Sequence, residues 1–234
     1  MTSSHPILQQ LEQAVFSKDP DQVDRLFEDE AITHIEHALI LKALTQGLDQ
    51  ARTALGAMTE SVAEFLLSVD AMRRGFSHLK RFAPVGQTRP RAVIGVIQGD
   101  VHDLGVSIIG GVMEALGYEV RELGQDTSTD RFLEELKAFD ASILGLSSMM
   151  STTLADMKET ITRCRRELPE VKIIVGGACL DENLAKAIGS DGYAESAVHL
   201  PQTLETIEQM FGPKGSPRRK YTDYERKVQV VESE

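Results

Sequence analysis

Ala92-Val93-Ile94-Gly95-Val96-Ile97-Gln98-Gly99-Asp100-Val101-His102-Asp103-Leu104-Gly105 runs from an apolar segment into a loop that sets a carboxylate and an imidazole two residues apart. Residues 92–97 predict a buried strand, and a helical pattern follows from about Val106. In an α/β protein the loop after a strand lies at the carboxyl edge of the sheet, where ligands bind. There, Asp-x-His-x-x-Gly aims one imidazole nitrogen outward while the carboxylate holds the proton of the other. That arrangement selects the tautomer of a metal-ligating histidine. The plainer alternative is a histidine hydrogen-bonded at a helix amino terminus, with Asp100 as its N-cap neighbour. This loop alone leaves both open.

Downstream, strand and helix patterns alternate. Residues 92–97, 118–123, 142–146 and 171–175 predict strands, with helical segments near 106–116, 131–139 and 154–168. A short strand at 192–194 and a helix at 200–210 complete five βα units. The expected fold class is α/β: a doubly wound, flavodoxin- or Rossmann-like sheet of five parallel strands. With strand order 2-1-3-4-5, the switch point between strands one and three brings the His102 loop and residues 147–153 to one crevice.

Upstream, apolar residues recur at helical spacing. Leu8, Leu11 and Val15 suit one helix, and Val23, Leu26 and Phe27 a second. Ile35, Leu39, Leu41, Leu44 and Leu48 suit a third, and Val62, Phe65, Leu66, Val69 and Met72 a fourth. Short connections favour a helical bundle. Pro84, Gly86 and Pro90 mark a linker over residues 81–90. The expected organisation is a bundle over 1–85, a sheet domain over 90–212 and a tail over 213–234. The tail, with Arg218-Arg219-Lys220 between prolines and a charged end, is expected to be a solvated terminus, or else an arm for an acidic partner.

The net charge of −11 and pI near 5.1 exclude a field that would displace phosphate counterions, so no nucleic-acid partner is expected. No stretch has the makeup of a signal peptide or the roughly 20 apolar residues of a membrane span; the expected location is cytoplasmic. Cys164 and Cys179 give neither a disulfide framework nor zinc spacing. His34 and His37 sit three apart, a spacing metal sites use, but without a third ligand nearby an ordinary helix face is the better reading. Tyr118, Tyr193 and His199 could border the crevice, with packing as the default role.

Gly99 and Gly105 do not form G-x-G-x-x-G, and no G-x-x-x-x-G-K-[ST] occurs, so dinucleotide and P-loop readings fail. Strand three ends in Leu146-Ser147, where a phosphoacceptor receiver would carry an aspartate. Asp100-x-His102-x-x-Gly105, Ser147-Ser148-Met149 and Gly176-Gly177 instead resemble, in order, the three motifs of corrinoid-binding domains. The resemblance implies cobalamin (methylcobalamin or another corrinoid) bound base-off, with His102 as the lower cobalt ligand. It implies cofactor contacts from Asp100, Val101, His102, Asp103, Gly105, Ser147, Met149, Thr153, Gly176 and Gly177. The Ser147 hydroxyl matches the one that bonds the buried tail base. Thr153 matches a hydroxyl supporting the aspartate, giving a relay of Thr153, Asp100, His102 and cobalt. Gly105, Gly176 and Gly177 would leave room for the nucleotide tail. When cobalt is reduced and the histidine leaves, Asp100 would stabilise the proton it gains.

Two departures stand out: Gly105-Val106-Ser107 where the family commonly has Gly-Lys-Asn, and Met149 for leucine, a volume-conserving change. The bundle resembles the cap preceding the corrinoid domain in methionine synthase and in corrinoid proteins of methanol, methylamine and methoxyl metabolism. The match is clearest at Glu64-Phe65-Leu66-Leu67-Ser68-Val69-Asp70-Ala71-Met72, with Leu67 for proline. In the family this helix covers the methyl face of the corrin, which makes Phe65 and Leu66 cofactor candidates; filling the bundle core is the equal alternative.

The resemblance implies a corrinoid protein that is not an enzyme by itself, with no catalytic residue of its own. It would carry a methyl group between a substrate-specific methyltransferase and a second methyltransferase acting on an acceptor such as tetrahydrofolate or a thiol, and a reductive activase is a third expected partner. The alternatives are the small subunit of an adenosylcobalamin-dependent mutase, which generally lacks such a cap, and a cobalamin or light sensor, which places a basic DNA-binding segment ahead of its bundle.

Overall fold

The computed structural model describes residues 5–81 and 90–211; the predicted linker, apart from Arg81 and Pro90, and the predicted tail lie outside them. Four helices come first: α1 (Pro6–Phe16), α2 (Pro20–Glu28), α3 (His37–Gly56) and α4 (Val62–Arg81). Local chemistry sets their starts. Asp19 accepts from Gln22 N–H (2.8 Å) ahead of Pro20, a residue suited to the first helical turn. Ser61 and Glu64 form a reciprocal capping box, with Ser61 N–H donating to Glu64 (2.7 Å) and Glu64 N–H to Ser61 Oγ (3.2 Å). A short 3-10 turn, Glu30–His34, precedes α3. His34 ends that turn and His37 begins α3, so the two do not share one helix as the spacing predicts, and Ile35 lies between the elements.

Beyond residue 90 the order is β1 (Arg91–Val96), α5 (Leu104–Ala115), β2 (Glu119–Glu122), α6 (Thr129–Ala138) and β3 (Ile143–Ser147). Next come α7 (Leu154–Glu167), β4 (Lys172–Gly176), α8 (Glu182–Ala187), β5 (Gly192–Tyr193) and α9 (Leu200–Phe211). The sheet is parallel throughout in the order β2-β1-β3-β4-β5, the doubly wound arrangement expected from the pattern. Helix α8 is absent from the sequence reading: at six residues it is too short to show a period, and its start depends on the Asp181 cap (2.7 Å to Leu184 N–H).

Two apolar layers sandwich the sheet. Val93 and Ile97 face Phe132, Leu136, Met157 and Ile161 on one side, while Ala92, Ile94 and Val96 face Val106, Val112, Leu204 and Ile207 on the other. The second layer continues without a break into the bundle through Leu44, Met72 and Phe76, so the bundle and the α5 side of the sheet share one apolar core rather than each closing its own. The seam is close because α5 presents Gly111, where a Cβ would come 2.8 Å from the Phe76 ring. Arg73 bonds Ser107, and Lys80 pairs with Glu114. Successive contacts 73–107, 76–111 and 80–114 mean that α4 and α5 run parallel.

Truncating Phe76 to Ala should remove the side chain that knits the bundle to the sheet and cost ~3–5 kcal/mol in denaturant unfolding, whereas Met58→Ala, at a residue 91 % exposed, should change stability little. Between α2 and α4, Asp24 is held below the ordinary carboxylate range by its hydrogen bond from His78 (2.7 Å), which with Arg74 outweighs burial. Its folded pKa is depressed, so its contribution is present above the ordinary value of 3.8 and is lost as pH falls through the lower folded value. Asp24→Asn should therefore flatten the stability profile between 3.8 and the lower folded value, measured by thermal melts against pH.

Candidate functional site

Val96, Ser147 and Gly176 are paired side by side at the carboxyl ends of β1, β3 and β4. The chain leaves β1 through a turn in which Asp100 N–H bonds the Ile97 carbonyl (3.2 Å) and Gly99 adopts φ +84. The turn is tied to the loop after β2: Asp126 Oδ1 accepts from Gly99 N–H (2.7 Å), and Asp126 N–H donates to the Asp100 carbonyl (2.9 Å). Asp126, itself at φ +50, is a supporting residue missed by the sequence reading because no local pattern links it to the His102 loop.

Asp100 is fully buried. One carboxylate oxygen accepts from the backbone N–H of His102 (3.0 Å) and lies 2.6 Å from its Nδ1; the other accepts from Met149 N–H (2.6 Å). Burial pushes the carboxyl up, but the bonds from Met149 and His102 outweigh it and hold the group below the usual carboxylate range. An ionised Asp100 makes Nδ1 the protonated ring nitrogen and leaves Nε2 with a free lone pair. The His102 side chain is 55 % exposed, so that lone pair faces outward. Asp100 is not a helix cap; the N-cap of α5 is Asp103, exposed and without a side-chain bond to the helix.

Around the imidazole lie apolar side chains that water would not favour: Val101 is 62 % exposed, Met149 47 % and Met150 38 %. Gly105, on the first turn of α5, opens to empty space. Among the described residues no three His, Cys, Asp or Glu side chains converge as a metal site would require.

The remaining predicted residues take more particular places. Ser147 is half-buried at the end of β3, its carbonyl accepting from Ile97 N–H (3.0 Å). Gly177 has φ +120, and a Cβ there would overlap the Ser148 carbonyl; at Gly176 a Cβ would come 2.9 Å from the Ala194 carbonyl. Both glycines are thus required by the chain's own backbone, a tighter demand than the room for a tail expected from the motif. Thr153 is buried but is not bonded to Asp100 directly. Its hydroxyl meets Ser148 Oγ (2.7 Å) and the Met150 carbonyl (2.9 Å), and Ser148 Oγ stands 3.4 Å from Asp100 Oδ2. The direct Thr153–Asp100 link is corrected accordingly: Ser148 lies between them. The adjacent serines Ser147 and Ser148 were the available signal, and only the strand's pleat decides which one turns inward.

Phe65 is buried in the bundle core and Leu66 is 45 % exposed, so the two candidates part company. Because α4 runs parallel to α5 and contacts Ser107 through Arg73, residues 62–69 extend beyond the level of Leu104, an overhang of roughly 12 Å at the helical rise per residue. Val62 and Leu66 lie four and seven residues apart on the stripe that ends in Arg73, and they continue the α5-facing side past the end of α5. Ser107, where the resembled family carries Asn, is engaged by this helix. Tyr118 bonds Glu208 of α9 (2.5 Å), and burial, helped by that carboxylate, pushes its phenol far up; its role is in packing.

A family model described as the B12 binding domain matches residues 90–200. Dimethylamine corrinoid protein 1 of Methanosarcina mazei is 33 % identical over 202 residues, covering 84 % of this chain and 94 % of its own. Among solved structures, the monomethylamine corrinoid protein of Methanosarcina barkeri has a TM-score of 0.65 at 21 % identity, covering 87 % of this chain and 98 % of that one. A chain of the methanol:cobalamin methyltransferase complex MtaBC from Methanosarcina barkeri has a TM-score of 0.55 at 22 % identity, covering 91 % of this chain and 83 % of that one. The structural likenesses speak for the fold, a cap followed by a Rossmann-like sheet. The sequence identity runs through both parts of the chain, and on that ground the protein belongs to the corrinoid-protein family that carries the B12 binding domain.

Proposed function

We propose that this chain binds cobalamin base-off with His102 as the lower cobalt ligand, and carries a methyl group between a substrate-specific methyltransferase and a second methyltransferase. The acceptor would be a compound such as tetrahydrofolate or a thiol. The observation that carries this reading is the Asp100–His102 pair: a fully buried, ionised carboxylate 2.6 Å from Nδ1, which leaves Nε2 available to act as a ligand. The exposed Val101, Met149 and Met150 suit the flat apolar face of a macrocycle, and the lack of converging protein ligands among the described residues suits a metal that arrives already held in its plane. When bound, the corrin's cobalt supplies the methyl-accepting and methyl-donating chemistry. The chain's own residues would orient it: Asp100 holds the imidazole and keeps its Nδ1 protonated, Gly105 leaves the approach clear, and Ser147 stands half-buried at the end of β3 for the cofactor tail. Val62 and Leu66 overhang the far side and would exclude water from the reacting face.

The relative named as a dimethylamine corrinoid protein and the methanol:cobalamin methyltransferase complex MtaBC support a partner enzyme as the source of the methyl group; the donor's pocket would belong to that partner. The domain division at 1–85 and 90–212 is part of the same proposal, since the overhang would have to move for a partner to reach the cofactor. Carbon-skeleton rearrangement with adenosylcobalamin, or light-switched DNA binding, would overturn this reading in favour of a mutase subunit or a sensor.

In cobalamin-loaded protein, the cobalt(II) electron paramagnetic resonance spectrum should show nitrogen splitting from one protein imidazole, and His102→Ala should abolish it; a spectrum unchanged in that variant would rule out His102 as the ligand. Replacing Leu66 by Ala should speed photolysis of the methylated protein measurably, whereas Phe65→Ala should chiefly lower the melting temperature because Phe65 fills the core. Equal photolysis rates in Leu66→Ala and unaltered protein would remove Leu66 from the reacting face.

A further inference from the structure

Ser148 occupies the variable position of the serine motif, yet it is fully buried and more extensively bonded than its neighbours. Its backbone N–H donates to the Gly176 carbonyl (3.1 Å), and its carbonyl accepts from Cys179 Sγ (3.2 Å) and presses against Gly177. The residue is therefore positioned by the loop after β4. Its hydroxyl has one hydrogen and three acceptors in range, Thr153 Oγ1 (2.7 Å), the Met150 carbonyl (3.0 Å) and Asp100 Oδ2 (3.4 Å). Met150 N–H donates into the same oxygen (3.2 Å).

Thr153 decides how that single hydrogen is spent. Its own hydroxyl reaches the Met150 carbonyl (2.9 Å) and Ser148 Oγ (2.7 Å). If Thr153 donates to Ser148 Oγ, the Ser148 hydrogen is released toward the Met150 carbonyl or the carboxylate; if it donates to the Met150 carbonyl, its own oxygen takes the Ser148 hydrogen at 2.7 Å and the carboxylate goes without. A hydrogen bond to an ionised group is roughly twice as strong as a neutral one, so the carboxylate is the preferred acceptor. With Met149 N–H on the same Oδ2, Asp100 is then pinned from the β3 side and its other oxygen is left to the imidazole.

We propose that Ser148 is the positioning residue for the His102–Asp100 pair, that Thr153 acts on the pair only through Ser148, and that the loop after β4 holds Ser148 in place. The inference rests on the reading of His102 as the cobalt ligand, but its first test does not. In cofactor-free protein, at a pH where the His102 ring is neutral, ring nitrogen shifts should report a single tautomer protonated at Nδ1. In Ser148→Ala the two nitrogen shifts should move toward each other as the ring samples both tautomers. Thr153→Val, which keeps the side chain's shape, should move them in the same direction by less, and should add nothing in the Ser148→Ala background. In loaded protein, Ser148→Ala should displace the cobalt(II)/cobalt(I) midpoint and weaken cofactor retention by about 10- to 100-fold, while Ser148→Thr, restoring the hydroxyl, should recover both. Unchanged ring shifts in Ser148→Ala would overturn the proposal, as would a Thr153→Val effect of the same size with and without Ser148. Should Ser148→Ala not fold, Thr153→Val alone decides, since unchanged ring shifts there would overturn it too. Missing imidazole splitting in the unaltered loaded protein would instead sink the ligand assignment and leave the result for Ser148 standing.

Discussion

A carboxylate with no exposed surface must be paid for in hydrogen bonds, and Asp100 sets the terms for everything around it. Three N–H groups face its two oxygens: the backbone of His102, the imidazole of His102 and the backbone of Met149. Those donors come from two strand ends, β1 and β3, so the carboxylate also clamps the switch point of the sheet. Its charge, kept by those donors against the pull of burial, decides which imidazole nitrogen carries the proton and which faces outward.

The same economy governs the loops. Asp126 braces the turn at Gly99 from the β2 side, and Gly177 lets the loop after β4 close on Ser148. Three neighbouring loops thereby hold one imidazole, with main-chain groups doing most of the holding. Rigid support from strand ends fixes the direction in which the imidazole points, and the neighbouring Val101, Met149 and Met150 stay apolar and exposed without loosening it.

The cap is placed by a different set of forces. Phe76 against Gly111, Arg73 on Ser107 and Lys80 on Glu114 set α4 alongside α5, and the Ser61–Glu64 capping box starts α4 well before the level at which α5 begins. The overhang follows from those two facts together. The bundle shares its apolar core with the α5 side of the sheet, so separating the two would expose part of that core.

The alternation of apolar runs with helical stretches determined the doubly wound sheet, and Asp100-x-His102-x-x-Gly105 singled out the loop that pairs a buried carboxylate with an imidazole; both are local patterns, and strand and helix periods need no tertiary information. Helix α8 escaped because six residues hold too few turns for a period, and the split of His34 from His37 escaped because a 3-10 turn ending on one residue and a helix beginning on another share the spacing of a continuous helix. Only the folded chain decided which of two adjacent serines turns toward Asp100, that Asp126 supports the loop from 26 residues away, and that Phe65 fills the core while Leu66 stays exposed. Each of these is a matter of which face a side chain presents to a neighbour distant in sequence, and that is set by strand register and helix crossing, quantities that exist only once the elements have packed.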